Sequence, residues 1–176
     1  MKGKPLIRLR PVTGGDFAFL ATLRRDQSLQ ELLLNHPSPE TVKDPEIENW
    51  IQRRKSEPGG TFQVVVDADE ARLGFVQIFD VRLRSRHGKL GMALISGARA
   101  QGAGREALQL LCMHARDVLQ LHKLLLEVRI DNLIATRLYE SSGFQKIGIL
   151  RQHYFDGNKY HDVLLMERFL DEDRSS

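Results

Sequence analysis

Proline is confined to the first third of this chain. All six prolines of the 176-residue sequence lie at or before Pro58, and residues 59–176 contain none. Proline breaks helices and removes a hydrogen-bond donor from strands, so a long stretch without it can form regular structure throughout. We therefore expect an irregular first third of helices and loops, followed by an uninterrupted series of strands and helices.

The composition excludes several classes of protein. Hydrophobic residues make up 41% and charged residues 28% of the chain, which is globular rather than disordered. The single cysteine, Cys112, rules out a disulfide framework, and its place on an apolar helix face predicts a core residue. A net charge of +3 is too small to indicate a nucleic-acid partner. No apolar run suits a membrane span, and Met1–Arg10 does not suit a signal peptide, so we expect a cytoplasmic protein.

The spacing of apolar residues predicts one mixed sheet with helices on its faces. The order is βααβββαβαββ, which indicates a single α/β domain over residues 1–170 and a frayed tail over 171–176. Strands are predicted over residues 6–11, 61–66, 73–81, 89–95, 124–130, 145–154 and 160–169. Helices are predicted from residue 13 or 16 to about 35, over 45–56, from about 104 to 119, and over 132–142.

The last two strands flank Asp156-Gly157, which is a strong signal for a two-residue hairpin turn. Such a turn would pair His153 with Tyr160 and would direct His161 to the opposite face of the sheet. Two histidines on opposite faces cannot share a metal ion, so we expect no metal site.

The segment from Leu90 to Arg105 carries most of the chemical information. Its order is strand, glycine-rich loop and helix start, and the free N–H groups of a helix start bind anions. Gly102 and Gly104 would let the backbone approach a phosphate, and Arg99 and Arg105 would add positive charge. The glycine spacing does not fit a dinucleotide fingerprint, and no Lys-Ser/Thr pair follows to make a nucleotide P-loop. An ordinary loop before a helix is the alternative.

Two motifs resemble signatures of the GNAT superfamily, the acetyl-CoA-dependent N-acetyltransferases. Residues 99–104, Arg-Ala-Gln-Gly-Ala-Gly, fit its Arg/Gln-x-x-Gly-x-Gly/Ala signature. Residues 132–144 resemble its second signature, Asn-x-x-Ala-x-x-Leu-Tyr-x-x-x-Gly-Phe. The ending, residues 155–166, is similar to the branch that contains spermidine and ribosomal-protein alanine acetyltransferases. The resemblance implies the GNAT fold, which is a mixed, mostly antiparallel central sheet flanked by helices.

The resemblance also implies acetyl-CoA as the co-substrate. Its pyrophosphate would lie on the backbone amides of residues 101–105, and its pantetheine arm would pair with the cofactor strand as an added strand. A backbone N–H of that strand would polarise the thioester carbonyl. Asn132 would cap its helix and contact the arm. The predicted cofactor-binding residues are Met92, Ala93, Leu94, Arg99, Gln101, Gly102, Ala103, Gly104, Arg105 and Asn132.

Tyr139 and Asp80 are the candidate catalytic residues. The resemblance makes Tyr139 the general acid that protonates the departing CoA thiolate, whereas a buried packing role is the alternative. Many relatives carry a glutamate where this chain has Lys89, so the expected base is missing. Asp80, at the end of the preceding strand, is the substitute, and a water chain is the alternative. Ala100 stands where glycine is usual, which a negative φ would tolerate.

We therefore expect an N-acetyltransferase that carries acetyl from acetyl-CoA to a primary amine by direct attack in a ternary complex. The acceptor would be a polyamine, an amino sugar or a protein N-terminus, and relatives with this ending commonly form homodimers. The alternative function is a non-catalytic module that binds acyl-CoA.

Three features of the sequence leave their role open. Trp50 is either a core residue or a wall of the acceptor pocket. The basic residues Arg82, Arg84 and Arg86 form either a solvated edge or a site for an anion. The acidic residues of the first third either attract a cationic amine or form a solvated helix face, and they are Glu31, Glu40, Asp44, Glu46 and Glu48.

Overall fold

The computed structural model describes residues 6–34, 42–99 and 102–171. Within these ranges the strands are β1 Arg8–Pro11, β2 Thr61–Val66, β3 Arg72–Arg82, β4 His87–Leu94, β5 Lys123–Arg129, β6 Gln145–Phe155 and β7 Tyr160–Phe169. They form one sheet in the order β1-β2-β3-β4-β5-β7-β6. All neighbouring strands run antiparallel except β4 and β5, which run parallel. The predicted fold, a mixed and mostly antiparallel sheet with helices, is confirmed.

The described helices lie in three connections between strands, namely β1 to β2, β4 to β5 and β5 to β6. A 3-10 turn covers Gly14–Asp16. The α-helices are α1 Phe17–Arg25, α2 Gln27–Leu32, α3 Asp44–Lys55, α4 Ser96–Arg99, α5 Ala103–Asp117 and α6 Leu133–Glu140.

A hydrophobic cluster covers each face of the sheet. On one face, the apolar stripe of α5, including Leu108 and Leu111, packs with Tyr139 of α6 and with sheet residues such as Leu90. On the other face, α1 and α3 pack on residues that include Phe75 and Ala93. Each helix contributes an apolar stripe at helical spacing, which is why the two helical layers are buried against the sheet.

The predicted first helix, from residue 13 or 16 to 35, is wrong in its extent. It is divided at Asp26, whose backbone is extended (φ −77°, ψ 104°) and whose side chain accepts a hydrogen bond from the Leu29 N–H. Asp26 therefore caps α2 rather than continuing α1. The predicted end at Asn35 lies outside the described residues.

The predicted two-residue turn of the last hairpin is also wrong. Phe155 pairs with Tyr160, so residues 156–159 form a four-residue connection. The Asp156 carboxylate accepts hydrogen bonds from the N–H groups of Asn158 and Lys159 at 2.8 Å each, and these bonds hold the longer loop. Tyr154 pairs with His161.

Two further expectations concern the core and the tail. Cys112 is buried in the α5 cluster, as predicted. Asp171 was expected to fray, but its carboxylate lies 2.5 Å from Nδ1 of His122, which ties it to the start of β5. Residues 172–176 lie outside the described ranges. None of the described helices combines the length and the apolar character that crossing a membrane requires.

Candidate active site

The parallel strands β4 and β5 separate in the middle of the sheet. Only His87–Lys89 of β4 pairs with β5, at residues 123–125, although both strands continue beyond that point. On its other edge, β4 stays paired with β3 as far as Leu94. Among the described strands, none pairs with the β5-facing edge of Leu90–Leu94, so a gap opens through the sheet.

The residues predicted to bind pantetheine lie on this open edge. Met92, Ala93 and Leu94 pair with Val76, Phe75 and Gly74 of β3. An unpaired strand edge presents N–H and C=O groups at strand spacing, which an extended chain with amide groups can complete as an added strand. The gap between β4 and β5 can therefore hold an arm such as pantetheine.

The glycine-rich loop leads into the longest described helix. Gly102 is the N-cap of the 15-residue helix α5 and has φ +78°, a left-handed conformation that side chains rarely adopt. Of the first N–H groups of this helix, that of Arg105 donates to the Gly102 carbonyl oxygen at 3.2 Å, while those of Ala103 and Gly104 lie at the positive end of the helix dipole. Ala103 and Gly104 lie in this first turn, whereas Ala100 and Gln101 are outside the described residues.

Gly104 has a packing role that the sequence did not suggest. It is buried, and a Cβ atom at this position would lie 3.2 Å from Cδ2 of Leu138 and 3.5 Å from Cδ1 of Leu94. The missing side chain therefore lets α5 lie close to α6 and β4. Any contact of Gly104 with a phosphate would come from its backbone N–H.

The polar candidates around the loop are partly engaged within the protein. Nε of Arg99 donates to the Leu94 carbonyl oxygen at 2.8 Å, and Nη2 of Arg105 donates to the Ser141 hydroxyl at 2.9 Å. Oδ1 of Asn132 accepts from the Ala135 N–H at 3.2 Å and so caps α6. Both arginines retain guanidinium N–H groups on an exposed side chain, which can still meet an anion.

Tyr139 is buried on the α5 face of the sheet. Its ring packs edge to face with Phe144, with 5.8 Å between centroids, and burial raises the pKa of the Tyr139 phenol to about 12. Within the described part of the chain, no group forms a hydrogen bond with its hydroxyl. The phenol therefore keeps its proton across the physiological pH range, as a proton donor must.

Lys89 stands between two carboxylates at the point where β4 and β5 separate. Its Nζ lies 2.9 Å from Oε1 of Glu127 on β5 and 3.7 Å from Oδ2 of Asp80 on β3. The hydrogen bond with Glu127 is the main reason that the pKa of Lys89 is raised. Asp80 sits in a bulge with φ +50°, and its side chain is 56% exposed, whereas that of Glu127 is 29% exposed. Lys89 therefore keeps its positive charge, and the two carboxylates hold its side chain in place.

Glu127 was missed at the sequence level. The family pattern directed attention to position 89, and the acidic group that this position lacks is instead present on the neighbouring strand. The available signal was the alternation of β5, in which Leu124, Leu126 and Val128 are buried and Glu127 lies between them. That alternation alone could not show which strand lies next to Lys89.

The gap connects the two faces of the sheet. Along β4, Leu90 belongs to the cluster with α5, whereas Ala93 belongs to the cluster with α3. Lys89 shares the strand parity of Ala93 and therefore lies on the α3 side, opposite the face that contains Tyr139. A group held in the gap can meet Tyr139 from one side and a molecule near Lys89 and Glu127 from the other.

The remaining candidates have mainly structural roles. Trp50 is buried and packs edge to face with Phe62 and Phe75, at centroid distances of 5.1 and 5.5 Å, so it is a core residue. Asp44 pairs with Arg25 at 2.5 Å, and Glu46 accepts from the Lys43 N–H. Glu40 is outside the described residues. Exposed positions at the β3–β4 turn are occupied by Arg82, Arg84 and Arg86.

The histidines of the last hairpin do not meet. His161 is buried and pairs with Asp156 at 2.6 Å, and the hydrogen bond from His161 is the main cause of the lowered pKa of Asp156. His161 faces Tyr154 across the strands, which directs His153 to the other face. Among the described residues, no group of three or more His, Cys, Asp or Glu side chains could hold a metal ion.

The fold and this site define a class of protein. Residues 7–145 match the model of the acetyltransferase (GNAT) domain family, so the chain belongs to that family. Its activity is that of an acetyl-CoA-dependent N-acetyltransferase.

Curated relatives and solved structures show which acetyltransferases this chain is similar to. A spermidine N(1)-acetyltransferase of Vibrio cholerae is 24% identical over 160 residues, which cover 91% of each chain. An N-alpha-acetyltransferase of Sulfurisphaera tokodaii is 32% identical over 77 residues, or 44% of each chain. The crystal structure of the Vibrio cholerae spermidine N-acetyltransferase with CoA and spermine superposes with a TM-score of 0.87 at 23% identity, covering 94% of this chain and 96% of that one.

Proposed function

We propose that this protein transfers acetyl directly from acetyl-CoA to the primary amine of a small molecule, within a ternary complex. The observation that carries the proposal is the gap between β4 and β5, which has Tyr139 on one side and the Lys89–Glu127 pair on the other. A thioester in this gap would be open to an amine from the α3 side while its sulfur faces Tyr139.

The donor would be held by the elements that line the gap. The turn at Gly102, the N–H groups of Ala103 and Gly104 and the helix dipole of α5 suit the pyrophosphate, and the exposed guanidinium groups of Arg99 and Arg105 add charge. Met92–Leu94 would pair with the pantetheine amides. Asn132, besides capping α6, would contact the arm, and Gln101 completes the proposed set. A backbone N–H of β4 would stabilise the charge that develops on the thioester oxygen.

The acceptor amine must lose a proton before it attacks. A primary amine with a pKa near 10 is mostly an ammonium ion at neutral pH. We propose that Glu127 accepts this proton and that Lys89 positions its carboxylate, while Asp80 remains a second candidate for the same role. The amine nitrogen then forms a bond with the carbonyl carbon, the C–S bond breaks, and the nitrogen gives up its second proton to solvent, from which the Tyr139 phenolate is later reprotonated. The thiolate takes the Tyr139 proton, and the products are an N-acetyl amine and CoA.

The test is an initial-rate screen that measures release of the CoA thiol, with mass spectrometry of the products. The amines would include spermidine, because of the Vibrio cholerae relative, together with amino sugars and peptide N-termini. The proposal predicts at least one amine that gains a single acetyl group. If CoA raises the melting temperature while no amine is acetylated, the non-catalytic acyl-CoA-binding function replaces it.

We further propose that residues 1–170 act as one domain, in the cytoplasm and as a homodimer. One sheet with a cluster on each face supports the single domain. The edge strand β6, with Ile147 and Ile149 about half exposed, offers a surface for self-association. Light scattering at micromolar concentration should give twice the 20.1 kDa chain mass, and the chain mass itself would contradict the dimer.

A further inference from the structure

Two helices end the stripe that faces the sheet with an arginine. In α3, Ile47, Trp50 and Ile51 are buried, and Arg54 takes the next position at the same helical spacing. In α1, the stripe that contains Leu20 continues to Arg24 in the same way. An apolar residue is the usual occupant of such a position, so both arginines are exceptions to the pattern of their helices.

Both guanidinium groups lie over aromatic rings on the α3 side of the sheet. Cζ of Arg54 is 4.1 Å from the centroid of Phe79, and Cζ of Arg24 is 5.5 Å from that of Trp50. Phe79 is the cross-strand partner of Lys89. Arg54 therefore lies over the strand next to that of Lys89, and because neighbouring strands are about 5 Å apart, Glu127 on β5 is about two strand spacings away. The glycine-rich loop proposed to bind the pyrophosphate leads into α5, which packs on the opposite face of the sheet.

Among the described residues, this cluster holds positive charge without an ion pair, although Glu46 acts on Arg24 from a distance, and Glu57 and Asp80 act on Arg54. In the described part of the chain, no carboxylate forms an ion pair with Arg24, Arg53 or Arg54. Nε of Arg54 is buried without a hydrogen-bond partner, and Arg24 donates to the Gln30 side-chain oxygen at 2.5 Å. Burial, followed by the neighbouring Arg53, lowers the pKa of both Arg24 and Arg54. Partly buried like charges are unfavourable unless an anion joins them.

We propose that Arg54, with Arg24 and Arg53, binds an anionic oxygen group of the acceptor, so that the acceptor is a primary amine that also carries a carboxylate or a phosphate. The inference rests on the proposed function and specifies its substrate class. A guanidinium that stacks on a ring keeps its in-plane N–H groups, which fit the two oxygens of such a group. The amine would then lie toward Glu127, two strands away on β5. A polyamine would instead bring further positive charge to this cluster.

A purely structural role makes a different prediction. Arginines in the last turn of a helix favour the negative end of its dipole, and their stems cover apolar surface. Those effects would act on the free protein and would be the same for every acceptor. Discrimination between acceptors that differ only in an anionic group separates the two accounts.

The experiment compares acceptors in matched sets. Each ω-amino carboxylate from β-alanine to ε-aminocaproate is paired with the alkylamine and the diamine of matching length, and O-phosphoethanolamine is paired with ethanolamine. We expect kcat/KM for the anionic member of at least one set to exceed that of its partners by roughly tenfold or more. The carboxylate and phosphate arms identify which oxygen group is preferred.

Substitutions test whether Arg54 causes the preference for anionic acceptors. Arg54→Met should reduce the preference to within about threefold, and Arg54→Lys should retain part of it. Each preference is a ratio of rates measured on the same protein sample, so a smaller folded fraction does not change it. Lys55→Met removes the same charge from an exposed position one residue further along α3 and should leave the ratio unchanged. A wild-type preference for the member without an anionic group (the alkylamine, the diamine or ethanolamine) in every set would overturn the inference, as would an unchanged ratio in Arg54→Met.

A binding measurement separates this inference from the proposed function. With the protein saturated with CoA, inorganic phosphate and the ω-amino carboxylates should raise the melting temperature of the wild type but not of Arg54→Met. If no amine is acetylated yet this shift is seen, the proposed function fails and the anion site stands. If spermidine is acetylated efficiently and no Arg54-dependent shift occurs, the proposed function stands and the anion site fails.

Discussion

Nζ of Lys89 lies 2.9 Å from Oε1 of Glu127, which is two residues beyond Leu125, the last residue of β5 that pairs with β4. The family pattern favours an acidic residue on β4 at position 89, and this chain has a lysine there. The carboxylate comes instead from β5, and the lysine holds it at the mouth of the gap. The exchange keeps an acidic group beside the proposed site of transfer.

Glu127→Gln should slow acetyl transfer at neutral pH. If Glu127 accepts the ammonium proton, kcat/KM should fall by roughly 10²–10⁴. The defect should shrink as the pH rises toward the pKa of the acceptor amine, because the free amine then forms without a base. The matched control is Glu167→Gln, since Glu167 pairs with Lys123 at 2.8 Å near the start of β5. A Glu127→Gln variant with the parental rate at pH 7 would return the role to Asp80 or to water.

Gly102→Ala should weaken both the fold and the binding of acetyl-CoA. A left-handed φ of +78° costs an alanine roughly 1–2 kcal/mol, which corresponds to a fall in Tm of roughly 2–8 °C. Relaxation of that strain would also displace the N–H groups proposed to meet the pyrophosphate, so CoA should raise the melting temperature less. Gly97→Ala is the control, because a Cβ there meets nothing within 4 Å. Equal CoA shifts in both variants would contradict the assignment of the loop.

Asp16 should make stability sensitive to acid. Its buried carboxylate accepts hydrogen bonds from Arg10, Arg72 and the Thr13 N–H, and the bond from Arg10 is the largest cause of its lowered pKa. A lowered folded-state pKa contributes stability that is present above the unfolded value of about 3.9 and is lost as the pH falls below it.

Asp16→Asn therefore serves as the test of this linkage. It should lower the free energy of unfolding by about 2–3 kcal/mol at pH 7, and by less at pH 3. Urea denaturation at both pH values measures the difference. Asp44→Asn, which affects the exposed pair with Arg25, should cost less than about 1 kcal/mol. A pH-independent effect of Asp16→Asn would show that its charge is not what matters.

Local patterns in the sequence predicted much of this fold. Strand β2 begins and ends where its β-branched run does, and α5 follows its apolar stripe. Gly143 follows α6 and has φ +86°, the left-handed conformation in which glycine commonly ends a helix. These features depend on residues close together in the chain, which is why periodicity and turn chemistry are sufficient.

What the sequence did not predict depends on distant contacts or on side chains that replace backbone bonds. The carboxylates of Asp26 and Asp156 accept hydrogen bonds from backbone N–H groups. Asp26 in this way divides a helix, and Asp156 lengthens a turn. Glu127 and Arg54 contact residues from distant parts of the chain. Glu127 meets Lys89 because β5 lies beside β4, and Arg54 meets Phe79 because α3 packs over β3. No spacing within the chain encodes these neighbours.

The most direct test of the central claim is Tyr139→Phe. The substitution keeps the ring and its packing against Phe144 but removes the proton donor, whose pKa of about 12 keeps it protonated in the parent. With an acceptor from the screen and chemistry shown to limit the rate, we predict that kcat falls by roughly 10²–10⁴, while the affinity for acetyl-CoA and the melting temperature change little. A variant that retains more than about a third of the parental kcat would contradict the account and would leave Tyr139 as a packing residue.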